Sequence, residues 1–79
     1  MTADDLPAIR RAVAGRLSKR RAIDDDTPLV SGGLIDSMSI VDLILELETA
    51  TGVRIPVTEV EPDDFDTIRK IAATLARFR

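Results

Sequence analysis

The chain has 79 residues, 44% of them apolar, with two phenylalanines and no tyrosine, tryptophan, histidine or cysteine. This composition fits one small folded domain over residues 1–79 with a core of Leu, Ile, Val and Ala, and it excludes disulfide staples and thiolate metal sites. The net charge of −3 is sorted along the chain: residues 1–21 carry six basic and two acidic side chains, residues 22–68 one basic (Arg54) and twelve acidic, and residues 69–79 four basic and none acidic.

Residues about 4–18 are predicted to form a helix, because Leu6, Ile9, Val13 and Leu17 recur at three- and four-residue steps. Asp4 and Asp5 lie at its start, and Pro7 is tolerable only there. The Lys19-Arg20-Arg21 run is expected at or just past its C-terminus, where the helix dipole favours cations. No aromatic residue accompanies that run, and the acidic middle of the chain repels phosphate, so nucleic-acid binding is not expected.

Residues about 22–36 lack helical spacing. Asp24-Asp25-Asp26-Thr27-Pro28 and Ser31-Gly32-Gly33 are turn chemistry, while Ile23, Leu29, Leu34 and Ile35 are candidate apolar anchors. A connection this long in so small a domain is either functional or disordered, and the anchors argue for order. The aspartate triplet does not continue as a calcium loop, which would need an oxygen ligand where Pro28 stands and glycine where Leu29 stands. No metal site is expected.

Residues about 37–51 give the clearest helix, closed by Gly52. Arg54-Ile55-Pro56-Val57 reads as extended. One short turn is expected over 62–65, opened by Pro62, and a last helix over about 67–78, capped by Asp66 or Thr67 and carrying the stripe Ile68, Ile71, Leu75 and Phe78. The expected fold is all-α: a small bundle of three main helices plus one short helix, with a long loop between the first and second. Glu59, Glu61, Asp63, Asp64 and Asp66 read as a solvated face with helix-start charges.

At 100° per residue the helix after Ser37 has two apolar stripes. Ile40, Leu43, Ile44, Leu47 and Ala50 form the face expected in the core. Met38, Val41 and Leu45 lie opposite, flanked by Asp42, Glu46 and Glu48. A two-layer bundle needs only one buried stripe per helix, so the second is either a docking surface or a scatter of surface apolar residues. Ser37 itself admits two roles. Asp36 and Ser37 are both good N-cap residues. Alternatively the hydroxyl is modified: a phosphodiester there would sit in the favourable field of a helix N-terminus, with Gly32-Gly33 leaving the approach open and the backbone mobile. Catalysis by Ser37 is remote, since a serine nucleophile needs a base and an orienting partner, and no histidine is present.

The run Gly33-Leu34-Ile35-Asp36-Ser37-Met38, with the element order around it, resembles the phosphopantetheine attachment motif of acyl and peptidyl carrier proteins. The resemblance covers nearly the whole chain. It implies a carrier, not an enzyme: Ser37 accepts 4′-phosphopantetheine from a transferase using coenzyme A, Asp36 helps hold the metal ion of the transferase complex, and Met38, Val41, Asp42, Leu45, Glu46 and Glu48 meet partner proteins. A chain without cysteine handles thioesters only if the thiol is imported with the cofactor. Asp36-Ser37-Met38, Leu43-Ile44-Leu45-Glu46-Leu47, Ile55-Pro56-Val57-Thr58-Glu59 and Phe65-Asp66-Thr67-Ile68 look like the stand-alone D-alanyl and aminoacyl carrier group. Implied partners are the phosphopantetheinyl transferase, an acyl- or aminoacyl-loading (adenylating) ligase and downstream acyl-transfer enzymes. A fatty-acid or polyketide synthase carrier is the alternative within the family, and an unmodified acidic adaptor binding through Met38, Val41 and Leu45 the alternative outside it. With no 18-residue apolar run and no basic-then-apolar leader, the expectation is a monomeric cytoplasmic protein without membrane insertion.

Overall fold

A computed structural model describes residues 5–17 and 22–79; the Lys19-Arg20-Arg21 run lies outside them. Described residues form three α-helices, α1 (Leu6–Ala14), α2 (Ser39–Thr51) and α3 (Ile68–Phe78), with two short 3₁₀ turns, Val57–Glu59 and Pro62–Phe65, between α2 and α3. No strand occurs among them. The all-α bundle expected from the periodicities is the observed one, with a second 3₁₀ turn where Val57 was expected to continue an extended segment. Pro56 is still extended (φ −73°, ψ 114°), and the chain turns immediately after it.

α1 is shorter than its apolar repeat suggests. Ile9, Ala12 and Val13 are buried, but regular structure stops at Ala14, before Gly15, a poor helix former. α2 ends as expected: Gly52 adopts a left-handed conformation (φ 75°) and its N–H reaches the Glu48 carbonyl at 2.8 Å. α3 is capped by Thr67, whose hydroxyl accepts the Lys70 N–H at 3.0 Å.

One core joins the three helices. Ile9 and Val13 of α1, Leu43 and Leu47 of α2, and Ile68, Ile71 and Leu75 of α3 are almost fully buried, together with Phe65 of the second 3₁₀ turn. Ala50, expected on the core face of α2, is exposed. It stands at the edge of the apolar stripe in the last turn, and Val53 and Ile55 close that end of the core instead. From the long connection, Leu29, Leu34 and Ile35 enter the same core. These three side chains fix how deeply the segment before Ser37 sits against the bundle. Near the chain ends, Arg79 pairs with Asp5, tying the end of α3 to the start of α1.

Candidate functional site around Ser37

The segment 22–38 contains no regular helix or strand, so its backbone groups must find partners elsewhere. At its start Asp24 closes a small turn, its Oδ1 accepting the Asp26 N–H at 2.8 Å and the Thr27 hydroxyl at 3.0 Å. Arg10 of α1 pairs with Asp25 at 3.0 Å, and Arg69 of α3 with Asp26 at 2.7 Å. The Arg69 hydrogen bond holds the Asp26 carboxyl below the usual range, and the same bond raises Arg69. The aspartate triplet is thus committed to the chain's own groups. Among the described residues no group of three or more potential metal ligands gathers.

The Gly32-Gly33 pair makes a turn tight rather than loose. A Cβ on Gly32 would stand 2.2 Å from the Pro28 carbonyl oxygen, and Gly33 has φ +76°, a conformation side chains rarely adopt. The turn delivers Leu34 and Ile35 to the core, and both their N–H groups reach the Leu29 carbonyl, at 2.8 and 2.9 Å.

α2 then begins two residues later than its sequence suggests. Met38 is the residue before α2, and its side chain caps nothing; the Asp36 carboxylate, not the Ser37 hydroxyl, covers the first helical N–H, Oδ1 accepting from Ser39 at 2.9 Å, with Ser37 and Met38 forming a turn between them. Ser37 is exposed, and its hydroxyl has no hydrogen-bond partner among the described residues. That N–H makes no demand on the Ser37 hydroxyl.

Two apolar surfaces border Ser37. One is the expected second stripe of α2: Met38 is 85% exposed, Val41 55% and Leu45 56%, values far from a core and high for a contiguous apolar row. Asp42 is exposed beside it. Glu46 and Glu48 are less available. Glu46 Oε1 pairs with Arg16 at 2.9 Å, and Glu48 Oε2 accepts the Ile55 N–H at 2.8 Å. The other surface is a groove of about 200 Å³ running from Ser37 between α2 and the 3₁₀ turns, lined by Ile40, Val41, Ile44, Val57, Val60 and Phe65 among others. Val57 is 60% exposed and extends the apolar surface across the groove. Sequence reasoning missed Val57 and the groove. The available signal was the apolar triplet Ile55-Pro56-Val57, longer than one buried anchor (Ile55) requires.

An exposed serine, unpartnered among the described residues, thus stands just before a helix, beside an apolar row and at the mouth of an apolar groove. A flexible arm on Ser37 fits this setting: the hydroxyl is open to solvent, and the groove offers an apolar bed to whatever the arm carries. The family model for the phosphopantetheine attachment site matches residues 7–75. The chain is similar to D-alanyl carrier proteins from three strains of Streptococcus thermophilus (ATCC BAA-491 / LMD-9, CNRZ 1066 and ATCC BAA-250 / LMG 18311), in each case 41% identical over 54 residues, covering 68% of either chain. The chain belongs to the phosphopantetheine-attachment carrier family. It is a carrier protein, and its cofactor is covalently bound 4′-phosphopantetheine. Such carriers work with phosphopantetheinyl transferases and acyl-loading enzymes. No helix among the described residues is long and apolar enough to cross a membrane.

Proposed function

We propose that Ser37 is the attachment point of the arm and that the protein is a stand-alone, non-catalytic carrier of small acyl or aminoacyl groups. The observation that carries this reading is the Ser37 hydroxyl, exposed and without a partner among the described residues, while Asp36 accepts the first helical N–H. The arm supplies the thiol that the chain lacks, on which groups are held as thioesters. The chain supplies position and recognition. Met38, Val41 and Leu45 form the apolar centre of the partner contact, with Asp42 as its exposed carboxylate; Glu46 and Glu48 contribute at its edge while holding Arg16 and Ile55. Asp36, next to Ser37 in the chain, helps hold the metal ion of the transferase complex in this reading, a role that rests on the family resemblance.

The name of the D-alanyl carriers favours an aminoacyl cargo, loaded by an adenylating ligase and passed to a downstream acyl-transfer enzyme. The compartment consistent with these partners is the cytoplasm. Incubation with coenzyme A and a broad-specificity phosphopantetheinyl transferase, followed by intact mass, tests the reading. The expected result is a gain of one phosphopantetheine, absent in Ser37→Ala. No gain with several transferases, or a gain that survives Ser37→Ala, refutes it.

A further inference from the structure

We propose that Asp66 is a positioning residue for the modification of Ser37, a role that rests on Ser37 being the attachment point. Asp66 lies between the second 3₁₀ turn and α3, far from Ser37 in sequence, and its hydrogen bonds go to other residues. Its carboxylate is spent on the loop that leads to the serine. Oδ1 accepts the N–H groups of Val30 and Ser31, both at 2.8 Å, and Oδ2 accepts the Ser31 hydroxyl at 2.8 Å. The Asp66 carbonyl accepts the Leu29 N–H at 2.6 Å, and the Leu29 carbonyl accepts the N–H groups of Leu34 and Ile35. This chain of bonds ends two residues before Ser37.

Capping of α3 does not explain the carboxylate. Thr67 caps α3, so Asp66 is not needed there. Leu29, Leu34 and Ile35 already anchor the loop by burial, but apolar contacts are non-directional. They set the depth of the loop and leave its backbone path open. Three bonds to one ionised acceptor, each directional and charge-assisted, set that path. A transferase that grips α2 must find the Ser37 hydroxyl in a fixed place relative to that helix, and displacement by about 1 Å costs on the order of a hundredfold in rate.

The test uses the full chain as the varied substrate of a broad-specificity phosphopantetheinyl transferase at saturating coenzyme A, with product read by intact mass. Asp66→Ala is expected to lower kcat about tenfold or more while KM stays within about twofold, because the docking stripe is untouched. Asp66→Asn is expected to restore kcat to within about threefold: its amide oxygen still accepts both N–H groups, and its NH2 donates to the Ser31 oxygen. Ser31→Ala, at an exposed position and losing one of the three bonds, falls between. Hydrogen exchange gives a readout independent of the transferase: the Leu34 and Ile35 amides lose protection in Asp66→Ala and Ser31→Ala. Ile71→Val, a core change that removes none of the Asp66 bonds, lowers the melting temperature without lowering kcat or loop protection. A folded Asp66→Ala chain modified at the parent kcat overturns the proposal, as does an Ile71→Val chain slowed as much as Asp66→Ala. Should Asp66→Ala fail to fold, an unchanged kcat and unchanged amide protection in Ser31→Ala overturn it. A parent chain that is never modified overturns the Ser37 assignment, and this proposal with it.

Discussion

Replacing Gly32 by alanine probes the loop before Ser37 most directly. The added Cβ would lie 2.2 Å from the Pro28 carbonyl oxygen and 3.2 Å from its carbon. Carbon and oxygen normally approach no closer than about 3.3 Å, so roughly 1 Å of separation must be created. The obstructing atoms belong to the backbone, and the segment is pinned next door by buried Leu29 and its bond to Asp66. Overpacking of this kind costs about 1–3 kcal/mol. At about 4–8 °C per kcal/mol for a domain of this size, a cost near 2 kcal/mol lowers the melting temperature by about 8–16 °C. The displaced loop also carries Ser37, so the transferase rate should fall about tenfold. Gly33 provides the contrast. Nothing lies within 4 Å of its would-be Cβ, and only its positive φ resists substitution. Gly33→Ala should therefore cost about 1–2 kcal/mol, and Gly33→Asn less, because asparagine tolerates that conformation. Thermal unfolding by circular dichroism and transferase kinetics measure both effects. A Gly32→Ala chain that melts within about 2 °C of the parent, or a Gly32→Asn chain as stable as Gly33→Asn, would refute the close-contact reasoning.

Other outcomes follow from the same geometry. Val41→Asp, at a half-exposed site, should leave the melting temperature within the small range of surface changes while raising the transferase KM about tenfold or more, separating docking from folding. Partner binding through α2 should weaken between low and high salt in a titration, since an acidic rim beside the stripe contributes long-range attraction. Glu48→Ala leaves the buried-side Ile55 N–H without its acceptor and should cost about 1–2 kcal/mol in urea unfolding. Asp66 has its carboxyl held below the ordinary value: desolvation, the largest single influence, raises it, but hydrogen bonds from Ser31 and Val30 and the charge of Lys70 together outweigh it. A depressed folded-state pKa gives stability that is full above the unfolded value of about 3.9 and is lost as pH falls through the depressed one. Melting curves through that acid window should converge for the parent and Asp66→Asn as the pH drops; a constant gap between them would contradict the assignment.

Much of the site is encoded locally. The glycine pair, the Asp36-Ser37 junction, the two stripes of α2 and the stop at Gly52 all depend on contacts within about one or two helical turns, where spacing is informative. Spacing alone therefore suffices to place Met38, Val41 and Leu45 opposite Ile40, Leu43, Ile44 and Leu47. Local reasoning also has a ceiling, and Asp36 and Ser37 show it. Both are good caps, and only the bond from the Ser39 N–H to Asp36 shows which one is used. Asp66 and Thr67 pose the same ambiguity, resolved the other way: the second residue caps α3 and the first turns to a loop 35 positions earlier.

The sequence by itself therefore determined the fold class, the candidate serine and the exposed apolar row, because periodicity and capping chemistry are properties of neighbouring residues. Tertiary structure decided which polar groups are free and which are spent. Glu46 and Glu48 look alike with Asp42 on a helical wheel, yet two of the three are bound within the chain. The groove at Ser37 and the hold of Asp66 on its loop likewise exist only once α2, the 3₁₀ turns and α3 are packed together. They are built from residues that no local period relates.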